Sequence, residues 1–247
     1  PTETVPIIVN NTKVRITISL HFALLRLQAE GVLHIWANAL CINQGDGEEK
    51  TAQVGRMGAI YRKASEVAVW LGHEQDAMET AVQFCVDHEH IDEKNRLVIL
   101  PTFKELLSNA YWNRIWVIQE IVVASSINVY CGYYKIGWGH FVDMIEFDVG
   151  TKKIFQEDEK ISGFTTLLDI RKDTLARRPI GLLQALHRSR SSLSTDSRDK
   201  LYALLGLRYD GRHFIPEPKY MNSVAEVFTD FSIALIESGE LLDLIYL

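Results

Sequence analysis

Leu33-His-Ile-Trp-Ala-Asn-Ala39, Cys41-Ile-Asn-Gln-Gly-Asp-Gly-Glu48 and Glu66-Val-Ala-Val-Trp-Leu-Gly72 decide the fold. The first reads as a strand. The second, with Asn, Gln, Asp and two glycines, reads as a loop at that strand's carboxyl end. Val54, Met57, Ile60, Tyr61 and Ala64 then recur at helical spacing, and Glu66 to Leu71 is a short apolar run closed by Gly72. An apolar run of that length without alternation fits a strand buried on both faces of a parallel sheet. Strand, loop, helix and strand in that order form a crossover unit.

The same pattern extends in both directions. Upstream, Ile7 to Val9 and Val14 to Ile16 flank Asn10 and Asn11 as a short hairpin, followed by Leu20, Ala23, Leu24 and Leu27 on one helix face. Downstream, helices are expected over Gln75 to His88, Phe103 to Asn109 and Trp112 to Ala124, then a strand over Ile127 to Cys131. Beyond Trp138 the signal is almost wholly helical: Phe141 to Phe147, Phe164 to Arg171, Ile180 to Arg188, Lys200 to Leu207 and Val224 to Ile236. The Ser-rich stretch Ser189 to Ser197 is a loop. The expected class is therefore α/β, a mostly parallel sheet with flanking helices and a helical C-terminal extension. The α/β core is placed at residues 1–135 and the extension at 136–247, as one domain over 1–247. The chain opens on Pro1 and stops on Leu-Ile-Tyr-Leu247, which predicts a domain incomplete at both ends.

Composition narrows the function. In 247 residues, 26 Lys and Arg face 32 Asp and Glu, so the chain is mildly acidic and lacks the basic footprint of a nucleic-acid binder. The most apolar stretch, Ile115 to Tyr134, is interrupted by Gln119 and Glu120, so no membrane span is expected. Cys41, Cys85 and Cys131 are odd in number and set among apolar neighbours, which reads as buried, reduced thiols and a cytoplasmic location. No metal-ligand spacing is present: His88 and His90, two apart, face different ways on a helix.

Three stretches carry a resemblance. They are His34-Ile-Trp-Ala-Asn-Ala-Leu-Cys-Ile-Asn-Gln44 with Glu49-Lys-Thr-Ala-Gln-Val54; Trp112-Asn-Arg-Ile-Trp-Val-Ile-Gln-Glu120; and Ser197-Arg-Asp-Lys-Leu-Tyr-Ala-Leu-Leu-Gly206. Read in order they resemble the fungal heterokaryon-incompatibility (HET) domain over nearly the whole chain. That resemblance implies an effector of fungal non-self recognition and programmed cell death, with sensor or repeat domains elsewhere in the full-length protein. The family usually has Asp where this chain has Asn38, and its Leu-Ser-Tyr-x-Trp-Gly and Pro-Ser-Trp-x-Pro-Asp-Trp motifs are missing here. A fainter resemblance to TIR domains, which implies a TIR-like or flavodoxin-like core, pairs Trp116 with Glu120; some TIR domains cleave NAD with a Glu so placed.

Candidate site residues follow from both sources. The Trp112 to Ala124 segment is apolar almost all round, so Glu120 must be paired, protonated or functional, because desolvation disfavours its charge. A structural salt bridge to Arg198 or Arg114 is one reading. The other is NAD hydrolysis, with NAD as substrate and no cofactor. Nicotinamide is a cationic leaving group that needs no general acid, and a carboxylate can stabilise the oxocarbenium-like centre left behind. Asn38, Asn43, Gln44, Trp116, Gln119 and Arg198 are the ligand-binding candidates. Asn43 and Gln44 can bond phosphate or ribose, or merely shape a turn, and Trp116 can stack on a base or pack in the core. The alternatives to an enzyme are a non-enzymatic module that signals by self-association and a degenerate HET paralogue.

Overall fold

The computed structural model describes residues 3–73, 76–87, 93–145, 159–178, 180–207 and 214–239. In chain order the elements are β1 (Thr4–Val9), β2 (Thr12–Thr17), α1 (Ile18–Ala29), the single turn α2 (Asn38–Cys41), α3 (Gly47–Lys63), β3 (Val67–Trp70), α4 (Asp76–Asp87) and α5 (Glu93–Leu107). A 3-10 turn (Ala110–Asn113) leads into α6 (Ile115–Val122), β4 (Ile127–Cys131), β5 (Tyr134–Gly137) and α7 (Trp138–Ile145). After a second 3-10 turn (Glu159–Ile161) come α8 (Ser162–Leu175), α9 (Leu182–Arg188), α10 (Asp199–Leu205) and α11 (Val224–Ser238). They fall into two compact units. One comprises Pro1–Asn43, Ala68–Leu106 and Asn128–Ile145; the other comprises Gln44–Val67, Leu107–Ile127 and Glu146–Leu247.

The first unit carries the sheets. Asn10 and Asn11 take φ of 49° and 62°, the left-handed pair that closes a two-residue hairpin, and β1 and β2 pair from Thr4 with Thr17 to Val9 with Thr12. Thr17 then accepts a hydrogen bond from the Leu20 amide, capping α1. The larger sheet has the order β3-β4-β5. The amide of Val67 donates to Ser126 and that of Leu71 to Tyr130, four residues on along both strands, so β3 and β4 are parallel. β5 returns antiparallel through a tight turn at Gly132 and Tyr133, pairing Cys131 with Tyr134. The sheet is therefore short and mixed, and the mostly parallel sheet expected from the sequence is corrected to that.

Further expectations are overturned. Residues 32–37 form no strand, and Leu33 is 87% exposed. A strand exists only through its ladder, and neither sheet of the described residues includes these residues. The expected helix from Trp112 to Ala124 is broken at Arg114, whose backbone is extended at φ −76° and ψ 131°. The cause is a remote pairing: the Leu193 amide bonds the carbonyl of Asn113, and the Ile115 amide bonds that of Leu193. α5 also begins earlier than expected and runs through Pro101, with Ile99, Phe103, Leu106 and Leu107 buried along it. Cys41 is exposed rather than buried; Cys131 is buried, and the side chain of Cys85 lies outside the described residues.

The second unit is helical and forms around α6. α3, α8 and α10 all pack on it. α3 opens on Asp46, which accepts from the amides of Glu48 and Glu49, and buries Val54, Met57, Gly58 and Tyr61 at successive helical positions. Gly58 lies against Gly206 at the end of α10, so close that a methyl group on Gly58 would sit 2.9 Å from the Gly206 Cα. Gly163 on α8 is equally confined, with the Trp112 carbonyl 2.8 Å from where its Cβ would stand. Among the described residues no helix is long and apolar enough to cross a membrane.

These close approaches give a paired prediction for urea unfolding. Gly58→Ala overpacks a backbone contact and costs about 1–3 kcal/mol. Gly139→Ala, on α7 with nothing within 4 Å of the new methyl, gains about 0.5–1 kcal/mol.

Candidate functional site

α6 carries three of the expected site residues, Trp116, Gln119 and Glu120, and lies wholly in the second unit. Its side chains from Val117 to Val122 are all buried, so each polar group on it needs an internal partner. Glu120 is 8% exposed and accepts one hydrogen bond, from the Tyr111 hydroxyl at 2.9 Å. Asn109 fixes that donor by accepting from the Tyr111 amide at the head of the 3-10 turn. Burial, reinforced by the neighbouring Glu120 carboxylate, pushes the Tyr111 hydroxyl well above its ordinary pKa, so it remains a donor. Among the described residues no cation comes within salt-bridge distance of Glu120.

The expected ion pair with Arg198 or Arg114 is thus not formed. Arg198 grips Asp196, two residues away, through Nε and Nη2, with Nη2 at 2.7 Å. Its remaining nitrogen donates to the carbonyls of Tyr220 and Asn222. A near neighbour in sequence met the guanidinium at less ordering cost than a remote buried carboxylate. Arg114 is exposed at the N-cap of α6.

Trp116 serves the interior: its indole N–H donates to Asp199 Oδ2 at 3.1 Å. Asp199, on the first turn of α10, also accepts from the Tyr220 hydroxyl at 2.5 Å. Burial raises its pKa, and the bonds from Tyr220 and Trp116 offset that only in part. Lys50 stands 3.9 Å from the centre of the Tyr220 ring, and Arg198 lies on the same ring at 5.3 Å. Gln119 fills the space above Gly206, where a Cβ would collide with its amide nitrogen. Its Oε1 is buried with no hydrogen-bond partner.

The remaining expected residues lie elsewhere in the chain. Asn38 and Asn43 belong to the first unit, whereas Gln44 belongs to the second. Asn38 opens the turn α2, and its carbonyl accepts from the Ile42 amide; Asn43 and Gln44 are exposed. With no strand over residues 33–39, the argument that placed this loop beyond a strand's carboxyl end lapses. Asp199, Tyr220, Tyr111 and Lys50 were not among the expected site residues. Asp199 had a readable signal: with Tyr202, Ala203 and Gly206 it falls on the inward stripe of α10. Tyr220 had none, because its contacts join segments far apart in sequence. No group of three or more metal-ligating side chains gathers among the described residues.

The raised pKa of Asp199 sets a sign for pH dependence. A carboxyl that titrates higher folded than unfolded binds more protons in the native state, so its contribution to stability falls as pH rises from the ordinary carboxylate range through its folded pKa. Measured as unfolding free energy against pH, the wild type loses ground to Asp199→Asn across that window. Asp199→Ala, which strands both donors, is the less stable of the two variants at every pH by about 1–3 kcal/mol.

Comparison with known proteins agrees with the first two motifs. The family model described as heterokaryon incompatibility protein (HET) matches residues 2–120. A curated relative, the heterokaryon incompatibility protein 6, OR allele, of Neurospora crassa, is 27% identical over 84% of this chain. The chain spans 39% of that relative's length. No solved structure matches. Residues 2–120, which hold the first two motifs, thus match the heterokaryon-incompatibility (HET) family, and the likeness to the Neurospora relative extends over most of the sequence.

Proposed function

We propose that this chain is an effector of fungal non-self recognition and programmed cell death, and that Glu120 is its reactive carboxylate toward NAD. The HET match and the Neurospora relative support the first part. One observation supports the second: Glu120 is buried with a single neutral donor and no cation among the described residues. A carboxylate kept for architecture is normally matched to a cation, and this one is not. In the reaction, the bond between the ribose C1′ and the nicotinamide nitrogen breaks, and its electron pair leaves with neutral nicotinamide. Glu120 stabilises the cationic C1′, and water adds there and sheds a proton, giving ADP-ribose. Tyr111 is the positioning residue for the carboxylate. The greater length of the relative leaves room for sensor or repeat domains in the full-length protein.

A second reading, assembly without catalysis, is favoured by a different observation. Val32, Leu33 and Ile35 are exposed in a segment of the first unit that belongs to neither sheet of the described residues, an apolar surface suited to a second copy of the chain.

Nicotinamide release from NAD, followed by chromatography at high protein concentration, separates the two. The enzyme reading expects Glu120→Gln to lose roughly a hundredfold or more in rate with its circular dichroism unchanged, and Tyr111→Phe to lose less. If neither the wild type nor Asn38→Asp releases nicotinamide, while Leu33→Glu disrupts an oligomer seen by sedimentation, the protein is an assembly module.

A further inference from the structure

α8 has two faces with different chemistry. Phe164, Leu167, Leu168 and Arg171 are buried, and Arg171 donates to the carbonyls of Ile121 and Ala124 at the end of α6. Thr166, Asp169 and Asp173, spaced three and then four residues apart, line a cavity of about 530 Å³ that the end of α9 completes. Four of its lining side chains are cations, Lys172, Arg178, Arg188 and Arg190, against the two carboxylates of Asp169 and Asp173. Among the described lining residues cations thus outnumber carboxylates by two, in a chain whose formal charge is −6.

The cations are held in place. Asp173 takes Arg188 on one oxygen at 2.7 Å and Arg178 on the other at 2.8 Å. The Arg188 hydrogen bond, with both positive charges, holds the Asp173 carboxyl below its usual range, so it stays ionised and anchors the Arg188 guanidinium through one nitrogen. Arg178 reaches Asp173 through a left-handed turn in which Arg177 takes φ of 55° where glycine is usual; the Arg178 amide closes that turn on the Asp173 carbonyl. Across the cavity, Arg190 bonds the His187 carbonyl through one nitrogen, and Thr166 bonds the Arg188 carbonyl. A guanidinium has five N–H donors, and the bonds of Arg188 and Arg190 each use a single nitrogen. Donors on both remain for an anion.

We propose that this cavity binds a small molecule carrying two or more clustered phosphates. A single phosphate is smaller than the space and cannot span the cations of α8 and those after α9. A polyphosphate can span them, and planar guanidiniums fit its oxygens in pairs. Asp169, exposed on the same wall, repels an anion, so the phosphates lie toward Arg188 and Arg190. The class includes nucleoside polyphosphates and inositol polyphosphates. The site lies on the face of α8 turned away from α6, and it stands whether or not Glu120 cleaves NAD.

The test is calorimetric titration of the 247-residue chain with magnesium-free ATP, inositol hexakisphosphate and inorganic pyrophosphate at physiological salt. The expected result is micromolar binding of at least one probe, one per chain, weakening as salt is raised. Arg190→Glu, whose side chain bonds only His187 among the described residues, loses roughly tenfold or more in affinity with circular dichroism unchanged, and Arg188→Gln loses as much. Lys13→Glu, which makes the same two-unit change of charge on β2 as Arg190→Glu makes at the cavity, binds as the wild type does. A preference for ATP assigns the site to a nucleotide, and a preference for the inositol phosphate assigns it to that class. No binding of any probe up to millimolar concentration, or binding indifferent to Arg190→Glu, overturns the proposal.

Discussion

α6 has no solvent face over most of its length, and the second unit is arranged around that constraint. Its apolar side chains need neighbours on all sides, which α3, α8 and α10 supply. Its last carbonyls lack helical partners, and a buried helix end cannot leave them to water. Arg171 answers that need from α8 by donating to Ile121 and Ala124. Its position on α8 is therefore set as much by the end of α6 as by the apolar stripe it shares. Close packing follows from the same constraint: glycines at positions 58, 163 and 206 let backbone or amide groups approach where any larger residue would collide.

Polar groups inside such a unit divide into those that were solved and those that were not. Asp199 was solved. Two neutral donors bond it and Lys50 stands nearby, so its burial costs less than that of an isolated charge. Gln119 Oε1 and Glu120 were not solved to the same degree. An unpartnered buried carbonyl oxygen costs about 1–3 kcal/mol, and an apolar residue of similar shape in place of Gln119 would avoid it. Both under-satisfied groups sit side by side at the end of the Trp112-to-Glu120 motif. Sites where local rules are broken without local compensation are where function is most reasonably sought.

Elements whose stability is local were legible in the sequence. The paired asparagines gave the hairpin, and the spacing of Val54, Met57 and Tyr61 gave α3; Ser223 and Glu226 form a capping box ahead of α11, whose periodicity alone had placed it. Elements that depend on a remote partner were not. Leu33, Ile35 and Trp36 suggest a strand, but no ladder among the described residues takes them up. Periodicity runs unbroken through Arg114, yet the backbone there is turned aside by Leu193, some eighty residues away. β5 escaped notice because it is four residues long and its register is set by the Gly132-Tyr133 turn rather than by its own pattern.

The site divides along the same line. Glu120 was found because an acid in an apolar helix is anomalous within a short window, and the anomaly persists in the fold. Arg198 was also singled out, but its partner was misjudged: a long side chain flanked by two acids took Asp196, two residues back, rather than the adjacent Asp199, and spent its other donors on the turn at Tyr220 and Asn222. Freed from Arg198, Asp199 turned inward to Trp116 and Tyr220. The two acids flanking one arginine thus have opposite fates: the Arg198 hydrogen bond lowers the Asp196 pKa, while burial raises that of Asp199. Which acid takes which fate is decided by the helical stripe. Asp196 precedes α10 and is half-buried, whereas Asp199 shares the inward face with Tyr202 and Ala203. A motif that reads as a run of charges is therefore a surface ion pair joined to a buried hydrogen-bond hub, and its two halves answer to pH with opposite sign.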